Sequence, residues 1–294
     1  MKLVALVLTL CTGTLPAQSP RLSVAPKQPA PGSLVRLTVI TPSGADSISS
    51  ITGRMGGEPL HFTVSSDGVW RSIGPIPVDA VDSVVASVLV MRTSGAVDSI
   101  RVAALLPRPP RRTGTARRRS LAVAPRFTRP LDAETQARIE RENARAREIG
   151  RRSHETPKLW TAPFLRPRAT AVTSRFGTGR MFNGTVASRH LGVDFSGAVG
   201  TPIRAANRGV VALVDEFFLA GNVVYIDHGE GVVTGYFHLS EALVATGDTV
   251  SRGQEIGRVG ATGRVTGPHL HWSARYGALT VNPLDLVSLS VTGP

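Results

Sequence analysis

The sequence predicts an all-β chain in which two β domains flank a basic, partly helical linker. Three observations carry this reading. Apolar residues recur at every second position in short runs before residue 106 and after residue 160, the period of a half-buried strand. Thirty glycines and 21 prolines break those runs at short intervals, as tight turns require. Between the two regions the texture changes to arginine-dense sequence, first rich in proline and then free of it. With 294 residues, 41% hydrophobic and 19% charged, the chain has the composition of globular domains and the length for two of them.

Residues 1–17 read as a cleaved signal peptide. Lys2 gives a positive start, residues 3–10 are apolar, and small or turn-forming residues lead to Ala17,. The run is shorter than the roughly 20 apolar residues a bilayer span needs, so no transmembrane span is expected after cleavage. Cys11 is the single cysteine. Leu10 before it is not the small residue that lipidation requires, and the mature chain is left with no thiol nucleophile and no cysteine metal ligand. Export to the periplasm or beyond the cell is the expectation.

Residues 20–106 are expected to form a small antiparallel sandwich. Val35, Leu37 and Val39 alternate with Arg36 and Thr38, and further runs lie at 62–64, 84–91 and 100–104. The opening resembles bacterial immunoglobulin-like modules. His61 stands alone and reads as an ordinary surface or satisfied histidine.

Residues 107–159 form the linker. Between 107 and 152 there are fourteen arginines and five acidic residues, a net +9 of the chain's +13. Residues 107–130 should be extended and solvated. Over 131–149 the acidic residues come early and the arginines late, which suits a helix macrodipole, and Glu134 supports Arg138 one turn on,. The apolar content is too thin for a buried helix, so a solvent-exposed connector is expected, with His154 a linker residue. In an exported protein such a block attracts anionic envelope surfaces, or is simply a solvated linker, and no nucleic acid partner is expected.

Residues 160–294 should be a tightly turned β domain, with strand-like runs at 203–205, 210–214, 222–227, 232–237, 255–259 and 270–275. Three groups in it carry chemistry. In the first, Leu191, Val193 and Phe195 alternate inward, leaving His190, Gly192 and Asp194 on the other face,. A straight strand would hold His190 and Asp194 about 13 Å apart, so the chain must bend, and Gly192 permits it. The second is His269-Leu270-His271-Trp272, where strand alternation aims both imidazoles at one side,. Two histidines in one small volume are economically explained by a metal ion. In the third, Tyr236-Phe237-His238-Leu239, His238 stands on a strand and by itself reads as structural.

Together these groups resemble the lysostaphin (LytM-like) zinc endopeptidases across 160–287. The resemblance includes Ser174-Arg175-Phe176-Gly177, the His190/Asp194 pair, Gly200-Thr201-Pro202, Asp227-His228-Gly229 and Thr266 to His271. Where that family often has Ser-Thr-Gly before His-Leu-His, this chain has Val265-Thr266-Gly267, a departure that touches no ligand. The resemblance implies that His190, Asp194 and His271 bind Zn2+ and that His238 and His269 are catalytic. Three protein ligands suit a catalytic zinc, which keeps one position open. No His-Glu-x-x-His helix is present, so His269 is the candidate base and His238 the candidate oxyanion partner, two roles that could be exchanged. His228 is assigned no chemistry. The implied substrate is peptidoglycan, cut at its peptide cross-links. A ligand-free binding module would lack some of these five positions, and an adhesive envelope protein would leave their convergence unexplained.

Overall fold

The computed structural model describes residues 19–42, 46–108, 120–184 and 186–291. The expected signal peptide and residues 109–119 of the basic block lie outside them. The described chain is mostly β-sheet with few helices. The N-terminal part holds β1 (Arg21–Ala25), β2 (Leu34–Ile40), β3 (Ile48–Met55), β4 (Glu58–His61), β5 (Thr63–Val64), β6 (Trp70–Pro75), β7 (Ser83–Arg92) and β8 (Val97–Leu105). They form two antiparallel four-stranded sheets, ordered β1-β2-β6-β5 and β4-β3-β7-β8. Burial along β7 alternates at every residue. Val84, Ala86, Val88 and Val90 are thereby turned into one core with Val35, Leu37 and Val39 of β2, each large side chain contributing about 1.5–3 kcal/mol.

The C-terminal part follows β9 (Ser120–Leu121) and helix α1 (Ala133–Ser153). Its strands are β10 (Val172–Ser174), β11 (Gly179–Phe182), β12 (Val186–Arg189), β13 (Val193–Ser196), β14 (Pro202–Arg204), β15 (Gly209–Phe217), β16 (Gly221–Gly229), β17 (Val232–Ala242), β18 (Thr249–Val250), β19 (Glu255–Val259), β20 (His269–Tyr276) and β21 (Leu279–Val281), before helix α2 (Pro283–Val291). The main sheet runs β10-β13-β20-β17-β16-β15-β18, with β19 joining β14 to β17 and β21 beside β20. Phe195, Ile203, Tyr236, Leu270 and Trp272 are fully buried in its core. A small third sheet, β12-β11-β9, stands beside it.

Helix α1 departs from the expectation of a solvated connector. The Asp132 carboxylate caps it by accepting the Thr135 N–H at 2.7 Å, and one face is buried through Ala146, Gly150 and Ser153. A Cβ on Gly150 would lie 1.8 Å from the Gly277 carbonyl oxygen, so the approach is possible only for glycine. Glu142 accepts the Phe218 N–H at 2.9 Å, and Arg145 pairs with Asp215. The fully buried positions of that face are small residues, with Ile149 packed beside them, a pattern that hydropathy does not register.

The end of α1 also joins the two β regions. His154 Nε2 lies 3.0 Å from Glu58 Oε2, and its Nδ1 lies 2.8 Å from His61 Nε2. Glu58 Oε1 accepts the Ala278 N–H, and the Tyr276 hydroxyl donates to Pro59 O. His61 and His154, which look unrelated in sequence, thus meet at one junction.

His228 on β16 is a fully buried strut. Its Nδ1 lies 2.7 Å from Arg208 O and its Nε2 2.8 Å from the Thr234 hydroxyl, and burial pushes the imidazole down to about 4. A folded-state value below the unfolded one, about 6.5, means the unfolded chain binds the proton more readily. The stability concerned is therefore complete above pH 6.5 and lost as pH falls toward 4. His228 alone should contribute a decline on the order of 3 kcal/mol across that window in urea unfolding, and His228→Gln should remove that share, leaving the part due to other buried histidines. An equally steep pH dependence in the variant would place its origin elsewhere.

Candidate metal centre

Strand pairing brings the three groups together. β13 and β20 are antiparallel with Asp194 opposite His271. Alternation sends Val193, Phe195, Leu270 and Trp272, all without exposure, into the core and leaves Asp194, His269 and His271 on the other face. His190 precedes β13, and the chain turns between them. Leu191 lies in that turn, off the strand, and is 39% exposed; it does not join the inward-facing alternation expected for it. Gly192 matters through close approach, because a Cβ there would sit 2.4 Å from His271 Nε2 and 2.6 Å from Trp272 O. Gly192→Ala must displace the His271 ring, since the backbone oxygen cannot yield. A loss of metal affinity of about 10–100-fold, the usual result of disturbing a ligand's support, is expected by competition with a chromogenic chelator. Unchanged affinity would mean that the ring has room.

His190 Nε2, Asp194 Oδ1 and His271 Nδ1 form a triangle with sides of 2.9–3.0 Å. The three residues form a candidate metal site. The protonation pattern tests the fit. His190 Nδ1 lies 2.9 Å from Arg175 O, and a carbonyl can only accept, so Nδ1 carries the hydrogen. In the neutral ring Nε2 is then a lone pair aimed at a carboxylate oxygen and a second imidazole nitrogen. With His271 Nδ1 also deprotonated, three electron-rich atoms face one point that a cation would fill, and two nitrogens with one carboxylate oxygen are a donor set that zinc accepts.

The charges agree. Burial alone would raise the Asp194 carboxyl, but the two imidazoles beside it outweigh that and hold it far below the carboxylate range. Burial lowers His271 to about 4 against the pull of Asp194. Both groups are thus in the states a metal requires.

His238 and His269 border the triangle. Their ring centroids are 4.9 Å apart, and His238 is 5.9 Å from His271. β17 pairs with β20 up to Phe237 and with β19 from Leu239. His238 sits at that change of partner with φ +65, a strained value for a non-glycine residue of the kind found at functional sites. Burial, then the charges of His271 and His269, keep its imidazole well below its ordinary value. His238 Nδ1 faces Thr262 O at 2.8 Å and His269 Nδ1 faces Gly267 O at 2.9 Å. Each ring therefore carries its hydrogen on Nδ1 and presents Nε2 as a base.

Three residues of the site were not anticipated. Arg180 on β11 hydrogen-bonds Asp194 and Ser174. Phe237 stacks on His271 with centroids 5.2 Å apart. Arg264 lies over the Phe182 ring at 4.3 Å.

The family described as Peptidase family M23 matches residues 188–283, the segment that carries His190, Asp194, His238, His269 and His271. Residues 188–283 thus carry a peptidase M23 domain. The chain is 44% identical over 113 residues to the peptidoglycan DD-endopeptidase ShyC of Vibrio cholerae, a match covering 38% of this chain and 26% of that protein. It is 45% identical over 97 residues to the DD-carboxypeptidase/endopeptidase Mpg of Neisseria meningitidis, covering 33% and 22%. The chain thus spans about a quarter of the length of these curated relatives. Among solved structures, a Pseudomonas aeruginosa structural-genomics target assigned to peptidase M23 superposes with a TM-score of 0.65 at 27% identity, over 88% of this chain and 95% of that one. M23 is a metallopeptidase family, in line with the lysostaphin-type resemblance.

Proposed function

We propose that this protein is a zinc-dependent endopeptidase that hydrolyses the peptide cross-links of bacterial peptidoglycan. The observation that carries the reading is the triangle of His190 Nε2, Asp194 Oδ1 and His271 Nδ1 with two further histidines at its edge. The M23 match and the names of the curated relatives support the substrate class. His190, Asp194 and His271 would hold the zinc, which when bound supplies Lewis acidity that polarises a peptide carbonyl and makes water nucleophilic near neutral pH.

The remaining work falls to the chain. His269, its Nδ1–H fixed on Gly267 O, accepts the proton of the attacking water at Nε2,. His238, fixed in the same way on Thr262 O, is assigned the tetrahedral oxyanion; burial keeps the free ring neutral, so it is the oxyanion's negative charge that must draw the proton His269 took from the water onto His238 Nε2. Arg180 holds the second oxygen of Asp194 and so fixes the carboxylate's orientation.

Such an enzyme works in the periplasm or outside the cell, as the expected signal peptide over 1–17 would allow, and no helix among the described residues is long and apolar enough to cross a membrane. The division at 20–106, 107–159 and 160–294, with an immunoglobulin-like front domain, is part of the same reading. So is attraction of the Arg-rich linker to anionic envelope surfaces, although Arg138, Arg145, Arg151 and Arg152 already have acidic partners within the protein. Incubating purified peptidoglycan with the protein and resolving the fragments by mass spectrometry tests the function. Cross-linked dimers should become monomers with gain of water; dimers that persist through prolonged incubation would refute it.

A further inference from the structure

Two clefts meet beside the metal triangle. The first, of about 260 Å³, contains His190, His238 and His271. The second, of about 570 Å³, reaches Asp194 and His269. Arg180, Phe182 and Arg264 are the residues that line both, so a peptide passing the triangle crosses them.

The two arginines differ in how their charge is met. Arg180 is committed to Asp194 and Ser174, and the Asp194 charge is shared with His190 and His271. Arg264 is half-buried, and no carboxylate pairs with it among the described residues. Its backbone is tied down by the bond from its N–H to Leu219 O at 2.8 Å, and its guanidinium lies on the Phe182 ring. Burial first, and the charge of Arg180 second, disfavour its charged form. Two guanidiniums in a partly desolvated cleft with only one, already shared, carboxylate between them leave a positive surplus that an arriving anion relieves. The planar guanidinium fork matches a carboxylate and binds it with two parallel hydrogen bonds.

We propose that Arg264, seated on Phe182 beside Arg180, is a carboxylate-binding subsite that selects cross-links whose amine-contributing residue bears a free carboxylate next to the scissile bond. This names the substrate class of the hydrolase reading and rests on it. In a D-alanyl-diaminopimelate cross-link the carbon bearing the leaving nitrogen also bears a carboxylate. A glycine bridge offers none beside an internal bond.

Two soluble cross-linked peptides, identical except for a carboxylate or a carboxamide at that carbon, test the proposal on the zinc-loaded protein. The wild type should favour the carboxylate peptide by about 10–100-fold in kcat/KM, chiefly through KM, the scale of a charge-assisted hydrogen bond. Arg264→Gln should cleave both alike, Arg264→Lys should keep part of the preference, and circular dichroism should show both variants folded. The same peptides, titrated calorimetrically into His269→Ala protein with and without Arg264→Gln, should bind with the same ratio and lose it. Cleavage or binding without preference in the wild type, or a preference that survives Arg264→Gln, overturns the subsite and leaves the hydrolase reading standing. Carboxylate-dependent binding that needs Arg264, with neither peptide cut, upholds the subsite and removes the hydrolase reading.

Discussion

His271→Ala is expected to strip the protein of zinc and of wall hydrolysis together. Removing one of three protein ligands should cost more than the about 10–100-fold in metal affinity lost when only a ligand's outer partner is changed. His190→Ala and Asp194→Ala should behave alike, because each deletes one corner of a triangle with sides of 2.9–3.0 Å. Asp194→Ala carries an added cost, since it leaves the Arg180 guanidinium without its carboxylate. His271→Ala is the cleaner variant: the Asp194 pairing with Arg180 stays, and the core beneath, Val193, Phe195, Leu270 and Trp272, is untouched. Metal analysis beside circular dichroism reads the outcome. A folded His271→Ala protein with full zinc would take that residue out of the ligand set.

The second large effect separates catalysis from binding. His269→Ala and His238→Ala leave the triangle whole and should keep zinc, yet each should lose about 10²–10⁴-fold in kcat, the usual worth of a positioned acid–base group. KM should change far less. His238→Asn belongs beside the alanine variant because residue 238 has φ +65, a conformation that asparagine tolerates and alanine does not. Loss of kcat in both His238 variants assigns the effect to the imidazole; loss in alanine alone assigns it to the backbone. Zinc lost from His269→Ala while His271→Ala retains it would exchange the two assignments.

The pattern of alternation makes much of this legible in the sequence. His-x-His on a strand aims two rings to one side, and the separation of His190 from Asp194 demanded a turn, in which Gly192 serves through close approach to His271. The division into ligands and catalytic rings came from the family resemblance, and the tautomers set by Gly267 O and Thr262 O add physical support to it. Leu191 failed because alternation was extended past the strand into the turn, where side chains no longer follow the pleat. The docking of α1 was invisible because Ala146, Gly150 and Ser153 bury little apolar area yet permit close backbone approach. The hairpin that presents Arg180 and Phe182 did have a signal, Asn183-Gly184, with both residues at positive φ, a recognised turn dipeptide. Nothing local marks Arg264 or the meeting of His61, His154 and Glu58, which depend on contacts across long stretches of chain.

The most direct test is reconstitution. Protein freed of metal by a chelator and returned to buffer with increasing zinc should regain hydrolysis of cross-linked peptidoglycan in proportion to the zinc bound, with activity levelling off at one zinc per chain. Hydrolysis that persists in the metal-free protein, or zinc that binds at that ratio without restoring any cleavage, would contradict a zinc centre at His190, Asp194 and His271 as the seat of the reaction.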